Sequence, residues 1–231
     1  SLVVQPHSVA QVQAVVQVAA TGGLAIVPRG GGMSYTGGYQ PSGAGAVLLD
    51  MTGVAQVGTV AAVDGFVIVE AGCTWGTLYD ALATQGLRTP FFGPLSGIAA
   101  TIGGALSQNG AFFGSAGHGS AAESVLGLEV VLPDGRLLRT GAWAGEGRSP
   151  FHRAYGPDLT GLFLGDCGAL GVKVRAALRV IPMPASAYAS FALPDEGAMA
   201  DAQVALAGLR GLAECFGFDP VANDNLTRTG F

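Results

Sequence analysis

Two glycine clusters hold the residues best placed to do chemistry. The first, Pro28-Arg29-Gly30-Gly31-Gly32-Met33-Ser34-Tyr35-Thr36-Gly37-Gly38, follows the short apolar run Ala25 to Pro28. Three consecutive glycines let successive backbone N–H groups turn inward as a concave nest for an anion, and side chains would block that approach. The second cluster, Pro94-Leu95-Ser96-Gly97-Ile98-Ala99-Ala100-Thr101-Ile102-Gly103-Gly104, continues to Asn109-Gly110, Gly114, Gly117 and Gly119 with no lysine or arginine between Pro94 and Gly119. Amides and hydroxyls rather than cations would cradle a ligand there, and a diphosphate suits such a cradle. A flexible glycine turn is the competing reading of the first cluster. Neither cluster fits GxxxxGK[ST], and neither opens a strand–helix unit with GxGxxG and a later acidic residue.

Other reactive side chains offer less. His7 and His152 read as surface residues, whereas His118, inside the second glycine region, is balanced between a ligand contact and a loop histidine. No HxxxH or His/Cys pair has metal-binding spacing, so no metal site is expected. Cys73 and Cys167, amid small apolar residues, read as buried fillers. Ser34 and Ser107 lack a GxSxG elbow, which argues against a serine hydrolase. Trp75 and Trp143 read as core or hinge aromatics.

Composition bounds the classes. The chain has 231 residues, 49% hydrophobic and 12% charged, so it is packed rather than disordered. A net charge of -5 and a pI near 5.0 argue against nucleic-acid binding, which relies on a basic footprint. Its 38 glycines follow no collagen or solenoid period. No apolar run has spanning length. Three cysteines without a CxxC suit a reducing, cytoplasmic setting. The chain starts at Ser1, which leaves a removed leader open.

The elements that must position the clusters follow from pattern. Val9, Val12, Val15, Val16 and Ala19 form a helical stripe, with Ser8 and Gln11 as a capping box and Gly22-Gly23 as the stop. Strands are expected at 25–28 and 46–50, and at 56–63 and 66–71 around a two-residue Asp64-Gly65 turn. Thr74 is expected to cap a helix closed by Gly86. Residues 88–120 read as one long irregular stretch, beyond ordinary loop length and therefore functional. Strands 126–132 and 136–140 flank Pro133-Asp134-Gly135. Asp158 caps a short helix, and residues 172–181 form a strand. Beyond them, Tyr188 to Leu193 reads as a strand, 195–209 as a helix, and Gly217 to Phe231 shows no pattern and looks cut off.

Four segments occur together in order: Pro28 to Ser34, Pro94 to Gly104, the Gly127 to Gly135 hairpin, and Gly165 to Val172 followed by Arg179 and Pro182. In these the chain resembles the FAD-binding domain of FAD-linked oxidases of the vanillyl-alcohol oxidase and p-cresol methylhydroxylase type, which include D-lactate dehydrogenases and glycolate oxidase subunits. The resemblance covers about residues 1 to 185. It implies an α+β fold with two α/β subdomains, residues 1–104 and 105–185, followed at 186–231 by the incomplete start of a cap domain. It also implies FAD between the subdomains, with Arg29, Gly30, Gly31, Gly32, Met33 and Ser34 at the pyrophosphate. Pro94, Ser96, Gly97, Thr101, Ile102, Gly103 and Gly104 would wrap the middle and flavin end, Gly114, Ser115, His118 and Gly119 would continue that wall, and Gly171 and Val172 would approach the nucleotide. The run Tyr155-Gly156-Pro157-Asp158-Leu159 looks like the family's approach to its last FAD-contacting strand.

Some relatives attach the flavin to a histidine in the first loop. Met33 stands there in this chain, so FAD held non-covalently is expected. The implied activity is oxidation of an alcohol or 2-hydroxy acid, with electrons passed to oxygen, a quinone or a carrier protein, and homo-oligomerisation is left open. Two other readings are a flavoenzyme like UDP-N-acetylenolpyruvylglucosamine reductase and a non-catalytic FAD-binding module or subunit. The catalytic base is not assigned.

Overall fold

A computed structural model describes residues 2–154 and 156–229. Ser1, Tyr155, Gly230 and Phe231 lie outside the described residues, and with Tyr155 the first position of the Tyr155 to Leu159 run.

The amino-terminal part is a small parallel unit. Strand β1 (Leu2–Val4) leads into helix α1 (Val9–Thr21), then β2 (Ala25–Arg29) and β3 (Ala46–Asp50), with β3 central in the order β1-β3-β2. Ser8 caps α1 by accepting from the Gln11 amide, while the Gln11 side chain reaches the amide of His7 rather than that of Ser8. Val9, Val12, Val16 and Ala19 are the buried residues of α1, as the stripe requires. The three valines pack with Leu49 of β3 and with Val131, Val172 and Val174, so one helix joins two sheets through a shared core.

The second sheet is antiparallel, in the order β4-β5-β9-β7-β8. It comprises β4 (Val57–Ala61), β5 (Phe66–Glu70), β7 (Val125–Val131), β8 (Leu137–Arg139) and β9 (Val172–Arg179). Strand β9 pairs with β5 on one side and β7 on the other, so this sheet draws on both sides of residue 104. The β4–β5 connection is not a two-residue turn: Gly65 donates to Ala61, closing a longer loop with φ +75 at Gly65. Pro133-Asp134-Gly135 does turn β7 into β8, with Asp134 accepting from the Arg136 amide.

Helix α2 (Trp75–Ala83) is capped by Thr74 as expected. Residues 88–120, expected to be irregular throughout, contain α3 (Ile102–Gln108) and the four-residue α4 (Ser115–His118), and β6 (Leu87–Arg88) starts the stretch. Gly103 and Gly104 conceal α3 from a propensity reading. Its fixing elements are the Thr101 cap and the burial of Ile102, Ala105 and Leu106. Helices α2 and α3 share the larger core with Val67, Val69, Leu128 and Ala176.

The remaining elements are α5 (Leu159–Leu162, capped by Asp158), β10 (Ile181–Pro182, paired with β6), α6 (Glu196–Ala207) and α7 (Pro220–Thr229). Two expectations fail here. Tyr188 to Leu193 forms no strand: Tyr188 and Phe191 are 91% and 74% exposed, and β-propensity acts only where a pleated surface exists to pack on. Residues Pro220 to Thr229, read as patternless, form a helix for which Asp219 accepts from the Ala222 amide.

Candidate functional site

Strand β2 delivers the first glycine cluster directly against the second. A Cβ built on Gly30 would lie 2.0 Å from Thr101 Oγ1, and one on Gly31 would lie 2.0 Å from the Ala99 carbonyl oxygen. Glycine is thus required by close approach at both positions, whereas Gly32 is required by its φ of +69. Between these segments opens a cavity of about 330 Å³. Arg29, Gly30, Gly31, Gly32, Met33 and Ser34 line one wall, and Pro94, Ser96, Thr101, Gly103 and Gly104 line another. Gly171 joins them from the loop before β9.

The backbone amides on these walls differ in kind. Among the described residues the N–H groups of Gly31, Gly32 and Met33 have no hydrogen-bond partner, leaving an unmet set of donors on the cavity wall. The opening amides of α3 are already committed: Ile102 donates to Cys73, Gly103 to Ala71 and Gly104 to Thr101 Oγ1. Gly103 and Gly104 therefore contribute bare backbone surface, and Gly103 is kept small because its Cβ would sit 2.9 Å from that of Ala71.

Two cations stand on the walls, Arg29 from the first cluster, as expected to line the site, and Lys173, which the sequence reading did not single out. Arg29 stacks 5.9 Å from the Tyr39 ring centroid and lies against Gly32, with no acidic partner among the described residues. Lys173 of β9 is buried; its Nζ donates to Asp166 Oδ1 at 2.5 Å and Ser107 Oγ at 3.0 Å. Burial lowers the Lys173 pKa, with the Asp166 carboxylate opposing. Sequence reasoning missed Lys173, Ser107 and Cys167 as cavity residues. The one available signal was Lys173 between Val172 and Val174 at the start of β9, a charge that needs a partner if buried.

The other expected site residues lie off this cavity. Ile102 is fully buried in the larger core, Val172 is buried in the smaller one, and the Gly97 carbonyl accepts from the Gly76 amide. Gly114 passes under the Pro90 carbonyl, and Ser115 Oγ accepts from the Phe112 amide. His118 ends α4, where burial, with Arg88 and Arg179 nearby, holds its imidazole below the usual pKa. Gly119 follows with φ +79, its Cα facing the Glu123 side chain. Cys73 is a buried filler whose thiol burial, aided by Glu70, raises to about 11. Cys167 is not a filler: it is exposed at φ +52 and lines the cavity. No helix among the described residues is long and apolar enough to cross a membrane.

A glycine-walled cavity with unmet amides, set between a parallel and an antiparallel sheet, defines a nucleotide-cofactor domain. The family described as FAD binding domain matches residues 1–141, and the chain belongs to that family. It is 34% identical over 213 residues to a probable mitochondrial D-lactate dehydrogenase of Danio rerio, covering 90% of this chain and 41% of that protein. It is 30% identical over 182 residues to glycolate oxidase subunit GlcD of Bacillus subtilis, covering 79% of this chain and 37% of that subunit. A solved alkyldihydroxyacetonephosphate synthase superposes with a TM-score of 0.69 at 25% identity, covering 80% of this chain and 32% of the synthase. The chain thus spans about two fifths or less of these proteins.

The cavity suits the family's cofactor on its own geometry. Side chains at positions 30 and 31 would push the first loop off Thr101 and Ala99 and break the wall, and the unmet amides of 31–33 with Arg29, which has no acidic partner among the described residues, match the acceptor-rich, anionic diphosphate of FAD.

Proposed function

We propose that this chain is the cofactor-holding part of an FAD-dependent oxidoreductase that oxidises an alcohol, with 2-hydroxy acids as the substrate class. The observation that carries this is the trio of unpartnered amides at Gly31, Gly32 and Met33 on the cavity lining, in the loop that packs against Thr101 and Ala99. These amides and the Arg29 guanidinium hold the diphosphate. Pro94, Ser96, Thr101, Gly103 and Gly104 shape the middle of the site by close approach, and Gly171 borders the nucleotide. When bound, the flavin ring supplies the electron-accepting chemistry, and the protein contributes orientation and exclusion of water.

FAD is held without a covalent bond at the first loop, where Met33 offers no nucleophile. Residues 1–104 and 105–185 are the two lobes around the cofactor, their hydrogen bonding shared through β5 and β9. Residues 186–231 begin a cap. The likeness to D-lactate dehydrogenase and glycolate oxidase subunit supports the substrate class. The electron acceptor is oxygen, a quinone or a carrier protein, and the setting is cytoplasmic.

Titration of the purified protein with FAD tests this reading. Quenched flavin fluorescence at 1:1 stoichiometry, followed by bleaching of the bound flavin with a 2-hydroxy acid, is expected. Protein that leaves FAD fluorescence unchanged contradicts it.

A further inference from the structure

Arg88 is a buried charge that the cofactor cavity does not use. Arg88, Glu129 and Lys173 are the buried charged residues among the described residues. Glu129 pairs with Arg139 and Arg175, and Lys173 pairs with Asp166, whereas Arg88, only 6% exposed, has no carboxylate partner among the described residues. A buried cation without a counter-ion is costly, and the Phe92 ring, its centroid 4.7 Å from Arg88 Cζ, offsets only part of that cost.

Its hydrogen bonds show which edge is open. Nη1 donates to the carbonyls of Thr89 at 3.1 Å and Pro90 at 2.8 Å, which fixes the plane of the guanidinium. Nε and Nη2, the two donors along one side of the fork, have no partner among the described residues. Nor are they sealed off, because the fully buried side-chain nitrogens and oxygens left without a partner are Trp75 Nε1 and Glu214 Oε2. Arg153 shows the same arrangement completed: its Nη1 donates to the Ala122 carbonyl at 2.7 Å, and its Nε and Nη2 donate to the Asp158 carboxylate at 3.2 and 2.9 Å. Arg88 has the held Nη1 and the free edge without the acid.

The surroundings favour an anion. The Pro90 carbonyl that holds Nη1 passes over Gly114 at the start of α4, and His118 ends that helix. After burial, Arg88 and Arg179 both hold the His118 pKa down, so three basic groups act on one another there. Arg179 donates through Nη2 to the Glu123 carbonyl, while the Glu123 side chain, which lies against Gly119, forms no ion pair among the described residues. Tyr79 packs on Phe92 with ring centroids 5.8 Å apart, and its hydroxyl has only the weak acceptor Met183 Sδ, at 4.0 Å. That leaves a second kind of donor beside the guanidinium.

We propose that the Nε and Nη2 edge of Arg88 binds a small organic carboxylate as a bidentate pair, with the Tyr79 hydroxyl as a further donor. The acid is either the 2-hydroxy acid of the proposed reaction, an assignment that rests on the FAD reading, or a separate small acid; the contact is the same.

The test is NMR titration of the full chain with glycolate and with its uncharged analogue glycolamide, at constant ionic strength. The expected result is a saturable shift of the Arg88 Nε–H resonance with glycolate alone, a His118 pKa raised by the bound anion, and glycolate binding about tenfold weaker in R88M, the scale of one lost charge-assisted hydrogen bond. No saturable shift with glycolate, or an equal shift with glycolamide or sodium chloride, overturns the proposal, as does R88M that binds glycolate as tightly as the wild type. If R88M does not fold, the wild-type resonance decides by the same criteria. Flavin bleaching tells the two sources apart: R88M that needs more glycolate to bleach bound FAD assigns the substrate, and R88M that bleaches it as the wild type does, with the weaker glycolate binding, assigns a separate acid. Wild-type protein that takes up no FAD sinks the FAD reading, while the glycolate shift at Arg88 is read without FAD, so the two failures are distinct.

Discussion

Gly30 and Thr101 touch across the gap where a side chain would stand: a Cβ on Gly30 would fall 2.0 Å from Thr101 Oγ1, the same oxygen that caps α3 through the Gly104 amide. One hydroxyl thereby caps α3 and packs against the Gly30 backbone of the first glycine loop. The cavity wall is built from this contact and from Gly31 against Ala99.

Gly31→Ala is expected to force those backbones apart. The cost is about 1–3 kcal/mol of stability, the range for overpacking a well-filled site, with a loss of FAD affinity alongside. Gly43→Ala is the control, because a Cβ there meets nothing within 4 Å. Thermal melts and FAD titration of both variants check the pair, and equal behaviour would refute the close-approach argument.

Thiol labelling separates the cysteines. Cys167 is exposed on the cavity and should react with iodoacetamide at pH 8, more slowly once FAD is bound. Cys73 is buried with a pKa of about 11 and should label only after unfolding. Mass spectrometry of labelled peptides reads both outcomes.

His118 should make stability fall on the acid side. Its folded pKa lies below the ordinary 6.5, through burial and then Arg88 and Arg179, so the unfolded chain takes up the proton first. The contribution is complete above about 6.5 and is lost as pH falls from there toward the folded value. His118→Asn should flatten that part of the stability profile in denaturant melts at stepped pH. An unchanged slope would contradict the assignment.

Glu129 is buried on β7 between Arg139 and Arg175, with Nε of Arg139 at 2.8 Å and Nη1 of Arg175 at 3.1 Å. Arg175→Met strips one partner from this carboxylate and should cost roughly 2 kcal/mol, below the usual penalty for a lone buried charge because Arg139 remains. Adding Glu129→Gln should recover much of the loss, which a double-mutant cycle measures.

What the sequence made legible were features governed by neighbours in the chain. Ser8 before a valine stripe, Thr74 before α2 and Pro133-Asp134-Gly135 between β7 and β8 each carry their partners within a few residues. The Gly30 to Gly32 run marked a backbone without side chains, but its contact with Thr101 and Ala99, far along the chain, was not legible. Helix α3 was hidden because Gly103 and Gly104 suppress propensity, while the cap and burial that fix it depend on a core assembled from distant strands. The Lys173 cluster was equally hidden: Ser107 and Asp166 reach it from α3 and from a loop, and Lys173 is one of three cations in β9 with nothing in the chain beside it to mark its partners. Tyr188 to Leu193 had strand-like residues but no strand edge to join. The expectation that amides of the second glycine cluster cradle a ligand could not see where the donors of Ile102, Gly103 and Gly104 go, namely to Cys73, Ala71 and Thr101.

Backbone amide hydrogen exchange at Gly31, Gly32 and Met33, with and without FAD, tests the central claim most directly, since it reads the donors themselves. Fast exchange in the free protein and marked slowing on FAD binding is the predicted result, with little change at Ile102, Gly103 and Gly104, whose amides already have partners. FAD bound at full occupancy while the amides of 31–33 exchange as fast as before would contradict a diphosphate held by this loop.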